Sequence, residues 1–269
     1  MRTSRSGRRR WSLTPTGIDT GTDDDVGAAS TGRGVTRITL EIAVESAKDA
    51  VAAATAGADR VELSADLACG GVTPAIETTR EARAGLDIPL LVLIRPRPGE
   101  FVYSGDELER MRHDLRTAIE CGADGLVFGA LTHRGRLDAK ALAACVEVCG
   151  LRVPVLHRAF DETADPFEAL ETAISLGFRR ILTSGRRACA AEPEASALLR
   201  DLRDRAAGRI EILPGGGVRP HNVRAVLTGT GCDQVHSACR VGLPGNTSTF
   251  DADLVRRLRA EADVHASGR

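Results

Sequence analysis

The chain has 269 residues, 42% of them hydrophobic and 27% charged, with a net charge of −1, enough apolar material to bury the core of one large α/β domain or two small ones without disulfides or metals. Near-neutral charge removes the case for a polyanion partner such as nucleic acid, because arginine richness alone, with lysine only at Lys48 and Lys140, carries no such signal. No apolar run of about 18 residues occurs to span a membrane, and Cys69, Cys121, Cys145, Cys149, Cys189, Cys232 and Cys239, odd in number and scattered, predict a reducing, cytoplasmic setting.

Residues 1–34 read as a disordered extension or a mis-assigned start: Gly, Ser, Thr and Asp dominate, and apolar periodicity is missing. The cluster Arg8-Arg9-Arg10 lacks the hydrophobic segment of an export signal and is followed by Asp23-Asp24-Asp25. From Arg37 short β-rich runs alternate with Ala/Leu/Glu/Arg-rich segments. Eight strands are predicted, at 38–44, 59–64, 89–95, 125–129, 153–158, 180–183, 209–213 and 234–237. Several helices close on a glycine before the next strand, and Gly-Ala-Asp recurs at Gly57-Ala58-Asp59 and Gly122-Ala123-Asp124. Thr73-Pro74 and Asp165-Pro166 have the form of helix starts. Cys145 and Cys149 share one face of an apolar helix pattern, where free thiols are commonly buried. Eight successive βα units predict a single parallel (β/α)8 (TIM) barrel over 35–250, with a C-terminal helix and tail over 251–269; a doubly wound sheet is the alternative.

A barrel gathers its chemistry at the carboxyl ends of its strands. Alternation turns Thr39, Glu41 and Ala43 of the first strand and Arg60, Glu62 and Ser64 of the second into the barrel. Buried glutamates on neighbouring strands need a partner, a proton or a cation, so Glu41 and Glu62 are either a structural pair with Arg60 or Arg95 or part of a site. Arg95 and Arg97, in the proline-stiffened Ile94-Arg95-Pro96-Arg97-Pro98-Gly99, offer forked donors for a carboxylate or phosphate. His157, Arg158 and Asp161 end the fifth strand within one turn of chain, with His157 and Asp161 candidates for an acid/base pair or metal ligands. Gly215-Gly216-Gly217 after the seventh strand leaves amides open to an anion, or simply makes a tight turn. Ser184, His236 and Arg240 stand at the neighbouring strand ends. Walker, dinucleotide-fold and zincin motifs are missing from the sequence.

These same residues lie in blocks that resemble the CutC family, in consistent order from Leu40 to Arg240: Leu40-Glu41, Gly57 to Leu63, Gly70-Gly71-Val72-Thr73-Pro74, Ile94 to Arg97, Gly122 to Leu131, His157 to Asp161, Leu182 to Gly185, Pro214 to Gly217, and His236 with Ser237, Ala238 and Arg240. The resemblance implies a barrel fold, a cytoplasmic location, homo-oligomers, and a role in copper homeostasis with copper(I) as ligand. It also implies copper cysteines at positions that are Ala43 and Ser64 here, neither of which supplies the soft donor Cu(I) selects. Cys69 and Cys239 are the remaining metal candidates. The residues themselves leave a second reading open: a barrel enzyme (lyase, isomerase or aldolase-like) acting on a small anionic or phosphorylated substrate. There Glu41, Glu62, His157, Asp161 and His236 would serve as acid/base groups or ligands of a hard divalent cation, and Arg95, Arg97, Arg158, Ser184, Gly215, Gly216, Gly217 and Arg240 would hold the anion. Both lysines fall in helical segments, which disfavours Schiff-base chemistry.

Overall fold

The computed structural model describes residues 37–242 and 248–268; the extension predicted over 1–34 lies outside the described residues. Strands and helices alternate in the order β1 (Thr39–Val44), α1 (Ala47–Thr55), β2 (Arg60–Leu63), α2 (Ile76–Gly85), β3 (Leu90–Leu93), α3 (Gly105–Glu120), β4 (Gly125–Phe128), α4 (Ala139–Cys149), β5 (Val153–Leu156), α5 (Pro166–Ser175), β6 (Arg180–Thr183), α6 (Pro193–Ala206), β7 (Glu211–Pro214), α7 (Val223–Thr230), β8 (Gln234–Ser237) and α8 (Ala252–Ser267). These eight strands are parallel and β1 pairs with both β2 and β8, while a short antiparallel pair, Arg240–Val241 with Thr249–Phe250, lies between β8 and α8 in the chain. The sheet therefore curls into the predicted barrel. No backbone ladder joins β7 to β8 among the described residues; there the Gln234 side chain donates to the Ile212 carbonyl at 3.2 Å.

The barrel wall separates two apolar regions. Leu40, Ile42, Val44, Leu63, Leu126, Phe128 and Ile181 face the helices in one large core, while Leu91, Leu93, Val127 and Val155 form a small cluster of their own. That inner cluster comes from β3, β4 and β5. On the opposite side of the lumen, β1, β2, β6, β7 and β8 contribute Glu41, Arg60, Arg180, Glu211 and Gln234, linked by ion pairs and hydrogen bonds.

The Gly-Ala-Asp repeat is one device used twice. Gly57 and Gly122 take positive φ (106° and 91°) just after a helix, where a side chain would be strained. The following aspartate then accepts from the first amides of the preceding strand, Asp59 from Leu40 (2.8 Å) and Asp124 from Leu90 (2.9 Å). Asp165 caps α5 ahead of Pro166 as predicted. Thr73-Pro74 differs: α2 starts two residues later, and Thr73 instead ties to the end of β3, its amide and hydroxyl both donating to the Arg95 carbonyl. Among the described residues no helix is long and apolar enough to cross a membrane.

Candidate functional site at the barrel mouth

Parallel alternation places Glu41 opposite Arg60 on one side and His236 on the other. Glu41 is fully buried, receives Arg60 Nε at 2.5 Å and meets His236 Nδ1 at 2.8 Å, with Arg180 at 3.8 Å. Burial works to raise its carboxyl, but the Arg60 guanidinium and the His236 bond overcome this and hold it far below the usual carboxylate range. An ionised Glu41 fixes the proton of His236 Nδ1. For His236 itself burial favours the neutral ring, yet the bond to Glu41 and the nearby charge of Glu62 prevail and raise its pKa.

Glu62, two residues further along β2, stands in a different environment. It is 5% exposed, and its Oε2 is buried without a hydrogen-bond partner. Burial, chiefly, pushes its carboxyl up to about 7, reinforced by Glu41 and opposed by His236. One atom each of Glu41, Glu62 and His236 lie within 4.8 Å of one another. Two carboxylates from adjacent strands are thus driven apart in acidity by what lies beside them.

His157 ends β5, also 5% exposed, with its ring 4.8 Å from that of Phe101. Its Nδ1 accepts from the Ala159 amide at 3.1 Å, which places the proton of the neutral ring on Nε2. Burial and then the Arg95 charge lower its pKa to about 3, so the ring is neutral. Nε2 is buried and unpartnered, as is Ser64 Oγ.

Glu62, His157 and His236 line a cavity of about 240 Å³ at the carboxyl end of the barrel, with Ala43, Arg95, Phe101, Arg158, Gly216, Gly217, Val218, Arg219, Ser237 and Ala238 also in its wall. That is below the roughly 300–1,000 Å³ of sites for drug-sized ligands. The amides of Gly216, Gly217 and Val218 donate to no protein acceptor among the described residues. A Cβ on Gly216 would lie 2.9 Å from Ser184 Cβ and 3.8 Å from Arg158 Cζ, so that loop and Arg158 are close. Arg158 is held by Asp161 and Ser184, and Arg219 by the Val218 carbonyl and Ser237, through only some of their donors.

A model of the CutC family matches residues 38–241. The chain belongs to the CutC family. A human relative called copper homeostasis protein cutC homolog is 42% identical over 201 residues, 75% of this chain and 73% of the relative. A CutC family protein of Xanthomonas campestris (strain 8004) is 45% identical over 203 residues, 75% of this chain and 83% of the relative. The crystal structure of a CutC protein from Streptococcus agalactiae superposes with a TM-score of 0.70 at 35% identity, over 75% of this chain and 98% of that one. Phosphoribosylanthranilate isomerase from Thermotoga maritima shares the barrel fold, with a TM-score of 0.57 at 16% identity, over 84% of this chain and 98% of that one.

Of the residues singled out in this CutC-family sequence, Glu62, Arg95, His157, Arg158, Gly216, Gly217 and His236 line the cavity. Glu41 lies directly beneath, behind His236. The others are engaged elsewhere. Asp161 faces away from His157, accepting from Thr183 Oγ1 (2.5 Å) and from the Ser184 and Arg186 amides. Arg97 binds Glu107 and the carbonyls of Glu100 and Val102, and Arg240 binds Glu45 and Ser248. Arg95 reaches the cavity wall, but its terminal nitrogens donate to the carbonyls of Cys69, Gly71 and Gly99. Sequence reasoning missed Arg219, signalled only by following the glycines, and Phe101, for which the sequence offers no sign.

Copper(I) does not fit this cavity. Its donors are carboxylate, imidazole, guanidinium and amide, and no cysteine or methionine lines it. Cys69 Sγ contacts the Asp66 carbonyl, Cys239 Sγ contacts Ser237 Oγ, and burial raises both thiols. Glu41, Glu62 and His236 are the one group of three metal-ligating side chains close enough to share an ion among the described residues. A hard cation would meet Arg60 already on Glu41, leaving Glu62 and His236 Nε2 as the donors facing the cavity.

Proposed function

We propose that this protein serves copper homeostasis, the role its relatives' names carry, and that its barrel mouth does acid/base chemistry on a small anionic ligand. The observation that supports the molecular reading is Glu62: a buried carboxyl with an unpartnered oxygen and a pKa near 7, beside an imidazole whose far nitrogen is held by an ionised glutamate. Such a pair exchanges protons at neutral pH. Arg158, Arg219 and the Gly216–Val218 amides favour an anion at the rim.

Calorimetric titration with inorganic phosphate and small phosphate monoesters tests the reading. Millimolar or tighter binding that weakens about tenfold in Arg219→Ala supports it. Failure of every such anion to bind removes it.

A further inference from the structure

The chemistry of the cavity wall narrows what the bound anion can be. Two sets of residues in its lysine-free, thiol-free wall differ in character. In one set the Gly216, Gly217 and Val218 amides and the unengaged donors of Arg158 and Arg219 gather positive charge. That is the kind of cradle a dianionic phosphate fits, after the seventh strand where barrels often bind phosphate. In the other are a carboxyl oxygen without a partner, an imidazole anchored at Nδ1 by Glu41, and a second imidazole whose tautomer is set by the Ala159 amide.

With Lys48 in α1 and Lys140 in α4, no amine is available at the mouth to form an imine. A carbonyl bound there must be polarised by hydrogen bonds, and a neutral Nε2–H is a suitable donor because it is acidic enough to stabilise an oxyanion without competing for the substrate proton. Of the described residues in this wall, His157 and Glu62, each 5% exposed, and Arg95 each have a buried polar atom without a partner; those of His157 and Glu62 are the ones suited to proton chemistry, and buried polar groups are rarely left so without a ligand.

Resting on the proposed anion site, we propose that the mouth binds a small phosphate monoester bearing an α-hydroxycarbonyl group and enolises it, Glu62 acting as base and His157 Nε2–H holding the carbonyl oxygen. Glu62 removes the proton from the carbon next to the carbonyl. The C–H electron pair becomes the C=C bond of an enediol, and the carbonyl π pair moves to oxygen, which takes its proton from His236. Return of the Glu62 proton to the former carbonyl carbon, with loss of the hydroxyl proton on the carbon first deprotonated to the now neutral His236, exchanges the positions of carbonyl and hydroxyl. No oxidant, reductant or co-substrate is needed.

The test is proton exchange in deuterated buffer, followed by NMR on dihydroxyacetone phosphate and ribulose 5-phosphate, with phosphate affinity measured on the same samples. The wild-type protein should wash the α-hydrogen out of at least one probe about 10²–10⁴-fold faster than Glu62→Gln, while both proteins bind phosphate equally. His157→Phe should slow exchange by more than tenfold with phosphate affinity retained. Probe binding without exchange overturns the enolisation while leaving the anion site standing. Loss of phosphate binding in the wild type removes both, and exchange unchanged in purified Glu62→Gln overturns the role of Glu62.

Discussion

Glu41 Oε1 and His236 Nδ1, on strands that close the barrel, lie 2.8 Å apart, while the other oxygen of Glu41 receives Arg60 at 2.5 Å. One carboxylate therefore anchors both the imidazole of the mouth and the guanidinium below it. Glu41→Gln leaves Arg60 buried without its counter-charge, while Arg180 keeps Glu211. It should cost about 3–5 kcal/mol in chemical denaturation and lower the His236 pKa, read by NMR titration of the ring protons. A variant of wild-type stability would mean the pairing is not formed in solution.

Glu62 carries the opposite sign in its pH dependence. Its folded pKa of about 7 lies above the 4.5 of an unperturbed glutamate, so the unfolded chain releases this proton first. The contribution is fully present below pH 4.5 and is lost as pH rises through 7. Glu62→Gln should consequently be more stable than wild type at pH 8, by on the order of 3 kcal/mol, and little changed at pH 4. Melting curves at the two pH values check this, with a pH-independent difference counting against a raised pKa.

His157 should remain neutral from pH 5 upward, since burial holds it at about 3. Nitrogen-15 spectra of the imidazole should show one protonated nitrogen, Nε2, across that range. Titration near 6.5 would show a solvated ring.

Arg95 and Arg219 should separate structure from recognition. Arg95 binds carbonyls of two loops and stacks 4.7 Å over Phe101, so Arg95→Ala should lose about 2 kcal/mol and expose the segment around Phe101 to proteases. Arg219→Ala should leave melting unchanged and weaken phosphate binding instead.

Copper(I) titration against a competing chelator should give the same affinity for wild type and a Cys69→Ser/Cys239→Ser protein, because neither thiol lines the cavity. A tight site abolished by the double substitution would place copper at those thiols.

The barrel was legible because its signals are local: each strand has its own apolar run, and each Gly-Ala-Asp ends one helix and starts one strand. The inward set Glu41, Arg60, Glu62 and Ser64 follows from alternation alone. What alternation does not carry is the partner. Glu41 and Glu62 look alike in sequence, and only the register of β1 against β2 and β8 decides that Glu41 is paired with Arg60 and His236 while Glu62 Oε2 is left without a partner atom. Asp161 lies four residues from His157, yet the short helical turn Arg158–Glu162 sends its carboxylate to the loop after β6. Arg95 has the composition of an anion clamp, but the carbonyls of the β2 and β3 loops reach its terminal nitrogens first.

The gap between β7 and β8, bridged by Gln234 rather than by a ladder, makes the wall mechanically unequal. Seven strand pairs resist separation through backbone bonds, while the eighth is tied by the Gln234 amide, which donates to the Ile212 carbonyl and to Glu211. That seam runs up to the rim where Gly215 lies against His236, a Cβ there falling 3.2 Å from His236 Cβ.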